Sequence, residues 1–340
     1  MADRPQSRSA GASADARERI VWPQDRSFRI LSIDGGGIKG ILPACLLAEL
    51  ETRFLNRQSI GQYFDLITGT STGGIIALAL AHGVAAREIA NIYCDRGDRI
   101  FPVDGPARAA FRAMRRIFAS AFDPEPLEYE LDSIFGDALL GSANTRLCIP
   151  AFEGEYGEPF IYKTPHHPDY HIDQHKPMRD VALATSAAPT YLRALERDGY
   201  VLVDGGLVAN NPIMVGLVDA LACHDISRDQ VQILSLGCSR SPFRATRAHR
   251  SGGLWRWKDA IDAAIEASAR NALGQAYLLV GRNRVVRIDP TVPAGPIALA
   301  DVRRARGELP PLAADLAKLH GPDIAAAFLE APVIGSFDPP

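Results

Sequence analysis

No CxxC pair occurs in this sequence, and its five cysteines, Cys45, Cys94, Cys148, Cys223 and Cys238, are odd in number and widely scattered. Neither a disulfide framework nor a zinc site is indicated, so a reducing cytoplasm is the expected setting. Long hydrophobic runs are missing as well. The longest spans residues 73–81, far short of the ~18 apolar residues that suggest a membrane span. Residues 1–26 are rich in Arg, Ser, Ala and Asp and lack an apolar segment. They read as a flexible arm and not as a signal peptide. Charge of one sign is not in excess either: a formal net charge of -3 argues against a nucleic-acid polymer as partner. His166, His167, His171 and His175 are clustered, but prolines interrupt them and no H-E-x-x-H or C₂H₂ spacing is present. With no EF-hand loop besides, neither metal nor cofactor is expected.

What is present is the ordinary balance of a globular protein, 47% apolar and 23% charged residues in a chain of 340. Short apolar runs alternate with longer helical patterns, which predicts an α/β fold with a largely parallel sheet. Strands are predicted at 28–33, 64–68, 146–151, 160–163, 200–203, 231–236 and 284–288. A helix over 42–55 follows from Leu42, Leu46, Leu50 and Phe54 recurring every four residues. Two stretches break the rhythm, about 95–129 and 239–258, and both read as insertions. Neither has the composition of a linker, so residues 27–340 are expected to form one domain, with the chemistry-bearing motifs within 28–236.

Three motifs carry that chemistry. Gly69-Thr70-Ser71-Thr72-Gly73 matches G-x-S-x-G between a strand and an apolar helix. In that setting a tight turn exposes the serine hydroxyl, and the flanking glycines remove side chains that would clash. The plain alternative is a helix N-cap beside a glycine turn. Asp34-Gly35-Gly36-Gly37-Ile38-Lys39-Gly40 follows the first strand, and consecutive glycines leave the N–H groups unobstructed, as an oxyanion hole requires. Gly35, Gly37 and Gly40 also satisfy G-x-G-x-x-G, but that fingerprint needs an acidic residue about 20 positions on. Position 54 is Phe, and Ile41 and Leu42 stand where a P-loop has Lys and Ser/Thr. Finally, Asp204-Gly205-Gly206 ends a predicted strand and leads into Asn210-Asn211-Pro212. Such an aspartate can reach a hydroxyl above the sheet, although Asp-Gly is also a common turn pair.

The order Asp-Gly-Gly-Gly, Gly-x-Ser-x-Gly, Asp-Gly-Gly-x-x-x-Asn-Asn-Pro resembles the patatin-like phospholipase family. Arg99-Ile100-Phe101-Pro102 and Ala184-Thr185-Ser186-Ala187-Ala188-Pro189 agree with it. The resemblance covers roughly 28–236 and weakens from about 240, though 284–290 looks like the family's closing strand. It implies a three-layer α/β/α sandwich with a mainly parallel central sheet and helical insertions. It further implies a phospholipase A-type acyl hydrolase with a dyad: Ser71 attacks the ester carbonyl and Asp204 takes its proton. The oxyanion would be held by N–H groups of Gly36, Gly37 and Ile38, with Thr72 as a further donor, and Lys39 would anchor the loop. Gly35, Gly40, Gly69, Gly73 and Gly205 are the supporting motif positions. Some soluble bacterial members of about this size are effectors of cyclic-oligonucleotide anti-phage defence, and this chain looks like one of them.

A Ser-Asp-His triad esterase acting on small soluble esters is the nearest rival. Its histidine would be His224, His249 or His320, none of which stands in a recognisable motif; His249, in the basic loop, and His224, at a polar helix end, read as surface residues. A nucleotide-binding module built on 35–40 is the rival from another class. A catalytically dead scaffold is a third, against which the intact motifs argue. Arg108, Phe111, Arg112, Arg115 and Phe118 would make a helix basic on one side and apolar on the other, fit for a peripheral bilayer contact or lid. An ordinary surface helix with arginine stems over the core reads the same residues. Arg240, Arg244, Arg247, Trp255 and Trp257 could grip a cyclic oligonucleotide by charge and stacking. A plain solvated basic loop is the alternative there.

Overall fold

The computed structural model describes residue 7, residues 17–100, 121–239, residue 243 and 260–333. The segment Arg108, Phe111, Arg112, Arg115 and Phe118 lies outside them, as do Arg240, Arg244, Arg247, His249, Trp255 and Trp257.

The central sheet is built from β2 (Phe28–Ile33), β3 (Leu66–Gly69), β4 (Arg146–Glu153), β5 (Glu158–Lys163), β6 (Leu195–Arg197), β7 (Tyr200–Asp204), β9 (Val231–Leu236) and β10 (Val285–Ile288). Its order is β10-β9-β2-β3-β4-β7-β6, with β5 also on β4. The run from β10 to β4 is parallel, while β5, β7 and β6 join antiparallel. A separate short pair joins β1 (Ile20–Val21) to β8 (His224–Asp225).

The central strands alternate between two apolar layers. Leu31 and Ile67 face one core, and Ile30 and Leu66 the other, the period-2 pattern of a sheet covered on both faces. On the first face lie α1 (Ile41–Phe54), α2 (Thr72–His82), α3 (Ala86–Ile100), α4 (Glu125–Phe135), α5 (Met178–Ser186) and the 27-residue α9 (Val302–Phe328). α7 (Ile213–Cys223) and α8 (Ala260–Val280) cover the second. Between β7 and α7, α6 (Gly206–Ala209) adds one turn. The predicted three-layer sandwich is the observed one.

Helix α2 is apolar nearly all round, and its residues 72–81 are buried, the composition of a helix sunk in a core. It stops at Gly83, whose left-handed φ of 95° returns N–H bonds to Ala79 and Leu80, a left-handed C-cap. α9 carries Pro310, Pro311 and Pro322 inside it, where prolines ordinarily break helices. Its buried stripe (Leu309, Ala313, Ala317, Gly321, Ile324, Phe328) recurs every three or four residues, and Gly321 meets the Phe54 ring of α1. Packing along that seam outweighs the proline penalty.

The strand order places the site. β3 and β4 step away from β2 on one side, and β9 and β10 lie on the other. Open sheets of this kind bind ligands at the carboxyl ends beside such a switch. Ile33, Gly69 and Leu236 are paired across this edge, so the Asp34 and Thr70 turns leave it at one level. β4 overruns the edge. Thr68 pairs with Cys148, and three residues further on stand Ser71 and Ala151. Ala151 pairs with Asp204 of the antiparallel β7. Register alone brings Asp204 down to the height of Ser71.

Candidate active site

Ser71 sits at the start of α2 with φ 55° and ψ −123°, a backbone state that side chains other than glycine's rarely adopt. The turn is too tight for side chains on either flank. A Cβ on Gly69 would stand 2.1 Å from the Gly73 carbonyl oxygen, and one on Gly73 would stand 2.3 Å from that of Ile33. The strained turn is held by bonds from elsewhere. Ser71 N–H donates to Thr185 Oγ1 at 3.0 Å, the Thr185 hydroxyl donates to the Pro150 carbonyl at 2.6 Å, and the Thr70 hydroxyl donates to that of Ala209 at 2.6 Å.

The turn aims the Ser71 hydroxyl at Asp204. Its Oγ donates to Asp204 Oδ2 at 2.7 Å, and Asp204 Oδ1 accepts from Gly206 N–H at 2.7 Å. Both residues are buried, at 8% and 7% exposure, so little water screens the pair. Burial lifts the Asp204 pKa from 3.8 to about 6, against the opposing pull of the Gly206 N–H and the Ser71 hydroxyl. A carboxylate ionised just below neutrality, touching a hydroxyl, is suited to general-base work.

The glycine loop lies against the same serine: a Cβ on Gly35 would come within 3.4 Å of Ser71 Cβ. Gly35 N–H is bound to the Asn210 carbonyl at 2.9 Å and Lys39 N–H to that of Gly36 at 3.2 Å. Gly40 backs onto the Thr72 side chain, and Gly205 onto the Pro150 carbonyl. Among the described residues, no hydrogen bond engages the N–H groups of Gly36, Gly37 and Thr72. Ile38 departs from the expectation. Its N–H donates to the Leu299 carbonyl at 2.9 Å, so it is engaged and not open to an oxyanion. Thr72 is fixed from its side chain, whose hydroxyl donates to Tyr93 OH at 2.6 Å, while Tyr93 OH donates to the Thr72 carbonyl at 3.2 Å.

Thr185, Tyr93, Asn210 and Leu299 are the supporting residues that the sequence reading missed. Thr185 and Asn210 carried a signal, as parts of the 184–189 and 204–212 motifs, whereas Tyr93 and Leu299 carried none.

No histidine joins the pair among the described residues, where the Asp204 carboxylate accepts from Ser71 and Gly206. His224 corrects the surface reading given to it. It is fully buried against Trp22 and Phe28, because the β1–β8 pairing folds Trp22 over it. Burial, then Arg146, pushes its pKa down to about 4 and keeps the ring neutral. Phe28 opens β2 whereas the site lies beyond Ile33, five residues or roughly 16 Å along the strand. His320 lies on α9, half-buried.

Cys148, His166 and Asp219 offer ligand atoms within 4.8 Å of one another. The position is already filled by charge. Asp219 takes Lys163 Nζ on one oxygen and His166 Nε2 on the other, both at 2.7 Å, and His166 Nδ1 meets Thr164 Oγ1 at 2.7 Å. Burial disfavours the Asp219 carboxylate, but His166 and Lys163 outweigh it and hold its pKa well below the usual range. The group is a satisfied polar network bracing β4, β5 and α7.

The chain is similar to several known proteins. A family model described as patatin-like phospholipase matches residues 31–217. A cGAMP-activated phospholipase of Vibrio cholerae is 38% identical over 281 residues, covering 74% of this chain and 76% of that protein. Another from Escherichia coli is 39% identical over 248 residues, covering 67% and 68%. Among solved structures, VipD from Legionella pneumophila aligns over 87% of this chain and 66% of its own, at 14% identity and a TM-score of 0.45.

Proposed function

The chain belongs to the patatin-like phospholipase family, and on that premise we propose that it hydrolyses membrane phospholipid esters with Ser71 as nucleophile and Asp204 as general base. The observation that carries this reading is the 2.7 Å bond from Ser71 Oγ to Asp204 Oδ2 at the end of a strained turn. Ser71 Oγ attacks the ester carbonyl while its proton passes to Asp204. The N–H groups of Gly36 and Gly37, with Thr72 beside them, receive the charge that forms on the carbonyl oxygen. The tetrahedral adduct collapses as Asp204 returns the proton to the departing glycerol oxygen, leaving an acyl ester on Ser71. Water, deprotonated by Asp204, then releases the fatty acid and restores the hydroxyl.

The chain meets its substrate at the bilayer surface by peripheral contact; among the described residues no helix is long and apolar enough to cross a membrane. Two relatives are named for activation by cGAMP, and a cyclic oligonucleotide of that kind is the activator we assign here. We take 27–340 as one hydrolytic unit, since β10 completes the sheet and α9 packs on α1.

Fatty-acid release from mixed phospholipid vesicles, with and without cGAMP, tests the reading. The full chain is expected to release fatty acid, more so with cGAMP; release under neither condition would overturn the assignment. The same assay carries a pH prediction. Only the ionised Asp204 accepts a proton, so kcat/KM should be level above its pKa of about 6 and fall about tenfold per pH unit below it. A rate unchanged between pH 5 and pH 7, in protein shown to stay folded, would remove Asp204 from the role of base.

A further inference from the structure

Arg287 lies beyond the 31–217 stretch that the family model matches, yet its side chain reaches the catalytic loop. It stands on β10 opposite Ser235 of β9, which in turn stands opposite Ser32 of β2. From there the guanidinium takes both oxygens of Asp34, with Nη1 donating to Oδ1 at 2.9 Å and Nη2 to Oδ2 at 2.6 Å. Two more bonds fix the fork itself, to Ser235 Oγ at 2.8 Å and Asp289 Oδ2 at 3.0 Å. Asp34 immediately precedes the three glycines. Its own N–H is tied to the Leu236 carbonyl at 2.9 Å, so main chain and side chain are both held.

We infer that Arg287 is a positioning residue for the oxyanion loop, acting through Asp34 to keep the Gly36 and Gly37 N–H groups turned toward Ser71. The inference rests on the reading of Ser71 and Asp204 given above. Buried ion pairs add little stability for the desolvation they require, and the Arg287 and Asp34 side chains are only 13% and 7% exposed. Burial works against the Arg287 charge, but Asp34 and Asp289 outweigh it and hold the guanidinium ionised. What two parallel N–H···O bonds supply, and an apolar contact does not, is a fixed carboxylate plane. The far end of the loop is pinned from the same part of the chain, by the Leu299 carbonyl on Ile38 N–H. Residues 287–299 thus grip the glycine loop on both sides, with Gly35, Gly36 and Gly37 between the two clamps and the Gly35 N–H already bound to the Asn210 carbonyl.

Arg287→Lys is the decisive variant. It keeps a cation among the carboxylates, and with it the fold, but cannot span both Asp34 oxygens. The pair Asp34→Asn with Arg287→Gln, which removes charge from both partners, is measured beside it. Wild type, both variants and a Ser71→Ala control are assayed as full chains with cGAMP for kcat and KM on phospholipid vesicles, with thermal melting in parallel. For Arg287→Lys, kcat should fall at least about tenfold with KM within about twofold; for the pair, kcat should fall about a hundredfold. The pH midpoint near 6 should not move in either, since Asp204 is untouched. A purely structural role would lower the melting temperature and leave kcat intact well below it. Arg287→Lys, folded at the assay temperature with kcat within about threefold of wild type, overturns the inference. Failure of the underlying reading shows separately, as a wild type that releases no fatty acid or a Ser71→Ala protein that still does.

Discussion

Asp204→Asn is expected to lower fatty-acid release by a factor of about a thousand or more and, in the same protein, to raise stability above pH 6. The first effect follows because an amide cannot accept the Ser71 proton, and positioned general bases contribute about 10² to 10⁴ in rate. The second follows from the direction of the pKa shift. Asp204 is buried, and its pKa stands at about 6 in the folded chain against 3.8 ordinarily. The folded state therefore holds this proton more tightly than the unfolded one. Its stabilising contribution is complete below pH 3.8, declines as pH rises, and is gone above about pH 6, a difference of roughly 3 kcal/mol. An asparagine at this position never ionises and avoids that loss. Its amide can face the Ser71 hydroxyl and its oxygen the Gly206 N–H. Melting curves should place Asp204→Asn above wild type at pH 8 and bring the two together near pH 4. A variant less stable than wild type at pH 8, or as active, would contradict the account.

Gly37→Ala should be nearly as damaging to turnover, with stability moving the other way. Gly37 has φ 59°, and a Cβ built on it would stand 2.5 Å from the Leu299 carbonyl oxygen. The left-handed backbone alone costs an alanine about 1–2 kcal/mol. The clash then forces the loop to shift or the Ile38–Leu299 bond to break. Either response moves a proposed oxyanion donor, and losing one such donor costs about 10² to 10³ in kcat. We expect kcat to fall about a hundredfold, KM to change little and the melting temperature to drop. Normal turnover by Gly37→Ala would mean that the glycine loop does not hold the oxyanion.

Most of this arrangement could be read before the fold was known, because it depends on local chemistry. The glycines around Ser71 mark a turn too tight for side chains, and the strand 28–33 shows its buried, parallel character in its apolar run. Asp204 was legible because it ends its strand and two glycines follow it. What could not be read depends on long-range pairing. That Ile38 N–H is spent on Leu299 is a contact across 261 positions of sequence. The burial of His224 depends on a two-residue pairing, β1 with β8, too short to leave a periodic signature. The antiparallel β4–β7 register, which sets the height of Asp204, has no local signal, because the strand looks the same in either direction. α9 was hidden by its three prolines, and only the seam it shares with α1 explains it. Thr185 and Arg287 were visible as letters, but their roles exist only through the atoms they reach.

The most direct test of the account is to treat the full chain, on phospholipid vesicles with cGAMP, with a fluorophosphonate probe and to locate the adduct by mass spectrometry. The account predicts one adduct, on Ser71, absent from Ser71→Ala, together with complete loss of fatty-acid release in that variant. An adduct on another residue, or fatty-acid release that survives Ser71→Ala, would contradict it.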